Sequence, residues 1–297
     1  MITRFAPAPT GWLHLGHVLN AEYVWGLAFR GVPELRGHQP RVLLRIEDHD
    51  RERCRPEYEA GILDDLDWLG YRPDVFPTDC FRADRCDGRQ SGRGSVYQEA
   101  VESLRTQGLV YACDCTRRDI EARSGGSAVR GAAGAEITAG AEIRYDGHCR
   151  DRGLALAGGA GWRVRMDPGV ERFADLRLGP QAHDPSEQCG DLLIRDRLGN
   201  WTYQFCVSVD DYRQGVDLVV RGEDLLASTG RQMRLARLLG RATPAAFLHH
   251  ALIMKSRDQK LSKSNADTGV RELRRRGWTP DDVKHAATET IAGDQEV

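Results

Sequence analysis

Residues 1–17, MITRFAPAPTGWLHLGH, constrain this chain more than any other stretch. They read as a short strand, a turn punctuated by Pro7, Pro9 and Gly11, and the start of a helix that runs on as VLNAEYVWGLAFR. A strand that feeds a helix through so short a turn is α/β material. His14 and His17 flank Leu15 and Gly16 where that helix begins. A helix N-terminus offers unpaired N–H groups and the positive end of a dipole, which suits phosphate. Gly16 lets a ligand lie against the backbone, and two imidazoles can donate to oxygens that gain charge during a reaction. By itself H-x-G-H is a weak motif, because two histidines within one turn are more often a surface or capping feature. The strand, turn and helix around it give it weight.

With 297 residues the chain can bury a sizeable core, as one elaborated domain or as two. The formal net charge of -2 supplies no general pull on nucleic acid, so an RNA partner has to meet a local basic patch. No run is long and apolar enough to span a membrane, and the N-terminus lacks the charged-then-apolar layout of a signal peptide. A cytoplasmic protein with no membrane partner is expected. In that compartment the eight cysteines would not form a disulfide framework, and clusters among them point to metal instead. Cys113 and Cys115 form a C-x-C, and YDGHC adds Tyr145, His148 and Cys149; chemistry alone favours His148 as a fourth ligand. Cys54, Cys80, Cys86, Cys189 and Cys206 are isolated.

Val42 to Ile46 reads as a strand that delivers Glu47, Asp48 and Asp50 to its C-terminal end, the edge where open α/β sheets bind ligands. Three acids there can hold Mg²⁺, form a solvated turn, or offer one carboxylate to an ammonium group. Residues 56–69, PEYEAGILDDLDWL, have helical apolar spacing with Pro56 in first position, and Tyr97 opens another amphipathic helix capped by Gly108. Residues 124–140 are rich in Gly and Ala and read as a flexible loop. FADLRLGP and DLLIRDRLGNWTYQFCVSVDD are expected as β-hairpin material returning to the main sheet, with Gly199 and Asn200 as turn residues. VDLVVRG reads as a buried parallel strand ending at Arg221, Glu223 and Asp224.

The following helix, STGRQMRLARLLG, is basic and amphipathic. Its Arg231, Arg234 and Arg237, with the run Arg274 to Arg276, are the candidates for an RNA surface. KLSKS then places Lys260 and Lys263 beside Ser262 and Ser264 on a loop able to close over a leaving pyrophosphate. An isolated K-x-S-K is more often a solvated basic loop, but with HLGH at the other end of an α/β chain the two motifs support each other. Only a polar tail with one short helix, VRELRRRGW, is expected afterwards.

RFAPAPTGWLHLGH, RIEDHDRER, QSGRGSVYQEAVESLRTQGLVYAC, VSVDDYRQGVDLVVRGEDLLAST and KLSKS together resemble a class I aminoacyl-tRNA synthetase of the glutamyl branch. They span nearly the whole chain, and the first, fourth and fifth are specific as a set. The resemblance implies an α/β fold with a Rossmann-like parallel sheet. Residues 1–108 would be the first half of the catalytic domain and 109–188 an inserted acceptor-binding subdomain with a zinc site. Residues 189–255 would be its second half, and 256–297 the KLSKS loop and a short tail without an anticodon-binding domain. The implied chemistry is adenylate formation from ATP with Mg²⁺, then transfer to RNA.

His14, His17, Lys260 and Lys263 would carry that chemistry, with His14, Gly16, His17 and Lys263 holding ATP. Arg4 and Arg221 would bind the carboxylates of L-glutamate, a task suited to the rigid guanidinium fork. Glu47 would take the α-ammonium group, and Phe5, Ala6, Pro7, Ala8 and Tyr203 would complete the pocket. Ala8 departs from the family's usual Ser, and Leu261 from its usual Met. Residues 265–297 are too few for an independent anticodon-binding domain, so the resemblance is to the truncated branch of the family. That branch attaches glutamate to the queuosine base at the wobble position of tRNA(Asp). It implies a monomer and a structural Zn²⁺ on Cys113, Cys115, Tyr145 and Cys149, a thiolate-rich closed site that pins a fold. Competing readings are a minimal synthetase charging a terminal ribose and a non-catalytic paralog that binds RNA or glutamate. A small-molecule adenylyltransferase would share H-x-G-H but leave VVRGED and KLSKS without a purpose.

Overall fold

The computed structural model describes residues 1–123, 143–256, 259–260 and 269–292. In chain order its strands are β1 (Ile2–Phe5), β2 (Arg41–Leu44), β3 (Val110–Cys113), β4 (Gly161–Val164), β5 (Glu171–Asp175), β6 (Gly179–His183), β7 (Leu192–Arg195), β8 (Leu218–Gly222), β9 (Ala246–His250), β10 (Met254–Ser256) and β11 (Gln259–Lys260). The main sheet has the order β2-β1-β8-β9-β5-β6. Its pairings are parallel from β2 to β5, and only the edge hairpin β5–β6 is antiparallel. The sheet is therefore Rossmann-like but mixed rather than wholly parallel. β1 has Thr3, Arg4 and Phe5 all buried, as befits a central strand covered on both faces. Chain order reverses between β1 and β8, so the C-terminal ends of these two neighbours open a crevice, the usual ligand position in such sheets.

β3, β4 and β7 make a second, antiparallel sheet. Its strands straddle the expected 109–188 boundary: β7 lies beyond it, while β5 and β6 inside it extend the main sheet. The loop expected at 124–140 lies outside the described residues.

WTYQFCVSVDD is not a strand returning from a hairpin. The Gly199–Asn200 turn forms, with a single antiparallel bridge from Arg195 to Trp201, and Tyr203–Arg213 is then a helix. Phe205, Val207 and Val209 alternate with more polar residues and so mimic a strand. In the fold that helix is buried on most sides, from Phe205 to Asp211, which hides its helical period. Tyr203, Val207 and Asp211 stand four apart and share one helix face.

Pro56–Leu69 is helical as expected, with Ile62, Leu63, Leu66 and Leu69 buried. Gly61 on this helix is required by a close approach: a Cβ there would lie 2.3 Å from the ring of Trp12. Trp12 also meets Tyr58 edge-on at 4.9 Å and carries the Arg271 guanidinium 4.5 Å above its ring. The WLHLGH turn is thereby clamped between two helices. The first helix spans Leu15–Glu22 and passes into a π-helical turn, Tyr23–Leu27, rather than continuing as regular α-helix.

The C-terminal segment is more than a polar tail. Val270–Arg275 and Pro280–Ala292 are both helical, and Val270, Leu273, Val283 and Ala287 enter the main core. Cys80 and Cys86, expected to be isolated, are joined in a disulfide with Cα atoms 5.6 Å apart. The basic helix, Thr229–Leu238, is not a solvated arginine face either: Arg231 and Arg234 are buried. Arg234 donates to the carbonyls of Asp167 and Gly169, and Arg237 pairs with Glu171 at 2.7 Å. Arg275 and Arg276 pair with Glu272, and Arg274 lies over Trp68.

Candidate active site

At the end of β1 the chain turns through Pro7 and Pro9, which cannot donate to a ladder. His14 then caps the first helix with extended backbone (φ -133°), and Gly16 N–H donates to His14 Nδ1 at 3.1 Å. His14 N–H in turn donates to His17 Nδ1 at 3.1 Å, and the two rings lie 3.9 Å apart. Both Nδ1 atoms are acceptors, so each neutral imidazole carries its proton on Nε2. Two N–H donors are thereby placed at a helix start, held by backbone geometry within four residues of sequence.

The crevice between β1 and β8 is a cavity of about 520 Å³ lined by Arg4, Ala6, His14, Gly16, His17, Glu47, Tyr203 and Arg221, among others. Eight of the residues expected at the site are brought together there. Phe5 is not among them: it is buried in the main core with its ring 5.6 Å from Trp25, because successive strand residues face opposite ways. Pro7 is buried and gives its carbonyl to Glu47 N–H. Ala8 gives its carbonyl to Thr10 N–H and is not among the residues that line the cavity.

Arg4 donates from Nε to Asp211 (3.2 Å) and from Nη1 to the Val220 carbonyl (3.0 Å), and among the described residues its Nη2 has no partner. Asp211 also receives Arg45 at 2.8 Å, and Arg45 reaches Glu47 at 3.1 Å. Burial opposes the charge on Asp211, but Arg4 and Arg45 outweigh it and hold its carboxyl below the ordinary range. Arg221, across the crevice, donates to His249, Gln232 and Thr229, all uncharged partners. Burial, with Glu47 adding to it, pushes the Tyr203 hydroxyl up to about 12, so it stays protonated at neutral pH.

The acids after β2 do not share a site. Glu47 goes to Arg45, Asp48 accepts Ser91 N–H at 2.7 Å, and Asp50 pairs with Arg53 at 2.6 Å. A three-carboxylate Mg²⁺ site is therefore not formed by them. Lys260 lies in β11, paired with Met254, while Lys263 lies outside the described residues. The described backbone on both sides of it reaches the crevice: Ile253 lines the cavity, and Gly269 bridges to His14.

Sequence reasoning missed Asn20, Gly222, Asp224 and His250 in the lining. His250 gives its Nδ1 proton to the Ala251 carbonyl and faces Asn20 Nδ2 at 3.0 Å through Nε2. Burial lowers its pKa to about 4, so it is neutral. Asn20 stands three residues after His17 on the same helix face, a spacing that could have marked it.

In the small sheet, the sulfur atoms of Cys113, Cys115 and Cys149 lie within 4.8 Å of one another. The Tyr145 hydroxyl is 3.4 Å from Cys113 Sγ and 3.9 Å from Cys115 Sγ, and accepts Cys149 N–H at 2.9 Å. His148 is exposed and stands apart from the group. Arg123 and Arg152 approach the sulfurs of Cys115 and Cys149 at 3.3 and 3.2 Å. Three clustered thiols, a phenol and flanking cations make a donor set that fits a tetrahedral thiolate-rich metal site.

Residues 1–291 match the catalytic domain of class I tRNA synthetases (E and Q), and the chain belongs to that family, a family of aminoacyl-transferring ligases. It is 41% identical over 267 residues to a Glutamyl-Q tRNA(Asp) synthetase of Bordetella bronchiseptica, covering 89% of this chain and 75% of the relative. Another of that name, from Rhodobacter capsulatus, is 36% identical over 299 residues, 96% of this chain and 98% of its own. A Frankia casuarinae glutamate–tRNA ligase is 34% identical over 283 residues, 95% of this chain and 54% of the ligase. A solved glutamate–tRNA ligase from Elizabethkingia meningosepticum, in complex with its amino acid, superposes with a TM-score of 0.68 at 25% identity. That alignment covers 94% of this chain and 53% of the ligase. Among the described residues no helix is long and apolar enough to cross a membrane.

Proposed function

We propose that the protein activates L-glutamate with ATP and passes the glutamyl group to the queuosine base at the wobble position of tRNA(Asp), in the cytoplasm. Arg221 carries the glutamate part of this reading. It is a buried cation on the cleft wall with only neutral partners, and a buried charge is costly until an opposite one meets it. A substrate carboxylate would supply that counter-charge, and Arg4 Nη2 faces the same space. Glu47 offers an acceptor for the α-ammonium group.

In this geometry a glutamate carboxylate oxygen attacks the α-phosphorus of ATP, and the bond to pyrophosphate breaks. Charge then builds on phosphate oxygens beside the Nε2–H groups of His14 and His17 at the helix start. An RNA hydroxyl next attacks the carbonyl carbon, and AMP leaves. Lys260 and Lys263 are assigned to the pyrophosphate by their motif. Mg²⁺ is taken to arrive with ATP, since the acids after β2 are engaged elsewhere. Zn²⁺ would be held by Cys113, Cys115, Tyr145 and Cys149, and its chemistry would be a structural cross-link.

The queuosine acceptor is supported by the names of the relatives that are matched over most of their own length. A second reading, charging of a terminal ribose, is favoured by the glutamate–tRNA ligases matched over nearly all of this chain. Incubation with glutamate, ATP and queuosine-bearing tRNA(Asp) truncated at its 3′ end separates the two. Glutamate retained on truncated RNA is expected; transfer only to intact RNA would favour the ribose. No glutamate-dependent ATP–pyrophosphate exchange would defeat both.

A further inference from the structure

Which nitrogen of His249 carries the proton decides whether Arg221 Nε has an acceptor, since it donates to His249 Nε2 at 3.0 Å. Asp175 makes that choice. Its Oδ1 accepts the backbone N–H groups of Arg177 (3.0 Å) and Leu178 (2.9 Å). Its Oδ2 accepts His249 N–H at 3.1 Å and faces His249 Nδ1 at 2.7 Å. An ionised carboxylate can only accept, so Nδ1 bears the proton and Nε2 turns its lone pair to Arg221. Both side chains are fully buried, and neither lines the cavity. The pair joins β5 to β9, so the orientation of Arg221 on β8 is set from two strands away.

We propose that Asp175 and His249 are a positioning pair that fixes the Arg221 guanidinium toward the side-chain carboxylate of glutamate. The proposal rests on reading Arg221 as the binder of that carboxylate. Arg221 donates to His249, Gln232 and Thr229, with the Tyr203 hydroxyl also beside it, and the plane they lock turns the remaining N–H edge to the cavity. A fixed fork of donors accepts a carboxylate and rejects glutamine, whose amide NH₂ would face other donors. Release of Nε lets the plane turn, which weakens glutamate binding and that discrimination together.

Two variants and one spectrum test this. His249→Phe keeps a ring but removes the acceptor, while His249→Gln brings an amide oxygen to the Nε2 position. In ATP–pyrophosphate exchange, His249→Phe is expected to raise the glutamate KM roughly tenfold, shift the ATP KM by less than about twofold, and narrow the preference over glutamine. His249→Gln is expected to recover most of the loss. Nitrogen-15 shifts are expected to place the His249 proton on Nδ1, and to move it to Nε2 in Asp175→Asn, where the amide N–H₂ faces Nδ1. An unchanged glutamate KM in His249→Phe, equal losses for glutamate and ATP, or a wild-type proton on Nε2 would overturn the pair. If the unaltered protein performs no exchange, the glutamate reading fails instead, and the spectrum still decides whether Asp175 sets the tautomer.

Discussion

Gly16 and Asp65 are two residues at which single atoms have measurable consequences. A Cβ at Gly16 would stand 3.0 Å from His14 Cε1, so Gly16→Ala requires the His14 ring to shift by a few tenths of an ångström. The expected result is a fall of roughly tenfold in kcat for exchange with little change in the glutamate KM, because the displaced donor is the one proposed to meet phosphate. Asp65 is 4% exposed and its Oδ2 has no hydrogen-bond partner among the described residues. Burial raises its pKa to about 6, against the pull of Arg274 and Arg271. A raised carboxyl pKa favours the neutral form in the fold, so stability is lost as pH rises from about 4 through 6. Asp65→Asn is therefore expected to raise the unfolding free energy by about 1–2 kcal/mol at pH 7.5 and to give no gain at pH 4. Denaturant titration at the two pH values measures both.

The helix Pro280–Ala292 shows how an element with few apolar residues can still matter. Thr279 and Asp282 cap it reciprocally, Thr279 N–H to the Asp282 carboxylate (2.8 Å) and Asp282 N–H to Thr279 Oγ1 (3.2 Å). Val283 and Ala287, one turn apart, are fully buried in the main core. Val283→Ala is expected to cost about 1.5–3 kcal/mol in denaturant unfolding. Exchange by the folded variant is expected to stay near wild type, since neither residue lines the crevice. The capping signal T-P-D-D and the four-residue spacing were both present in the sequence; a low apolar count obscured them. The helix Tyr203–Arg213 is the opposite case, where burial on several sides produced a strand-like pattern.

Among the described residues the main sheet and the β3–β4–β7 sheet pack on different cores. The main sheet is held by a large apolar core, and the second sheet sends Val164, Leu192 and Ile194 into another with Tyr97 and Phe205; only the cluster around the cysteines is small, of Tyr111, Cys113, Ile120, Tyr145 and Cys149. So small a core gains most from a metal cross-link. Metal analysis of the purified protein is expected to find one zinc per chain. Chelation is expected to lower the thermal midpoint by roughly 5–10 °C, as scanning calorimetry would record. Transfer to RNA is expected to fall further than pyrophosphate exchange, because the crevice of the main sheet lies outside the small core.

What the sequence by itself determined is what neighbours in the chain can settle. HLGH makes its cap from hydrogen bonds spanning two and three residues, whereas the C-x-C thiols meet Tyr145 and Cys149 across 30 or more positions. Chemistry alone pointed to His148 and the family resemblance to Tyr145; the fold buries Tyr145 beside the thiols and exposes His148. Tertiary structure supplied the partners of the arginines and placed Arg4 and Arg221 in the crevice lining. Arg4 meets Asp211 across 207 positions and Asp175 meets His249 across 74, contacts that exist only once the strands are aligned and the helix Tyr203–Arg213 packs against them. Arg231 and Arg234 looked like a surface stripe until packing drew them inward. Short-range hydrogen bonding is written in adjacent residues. The pairing of buried charges depends on which strands the sheet sets side by side.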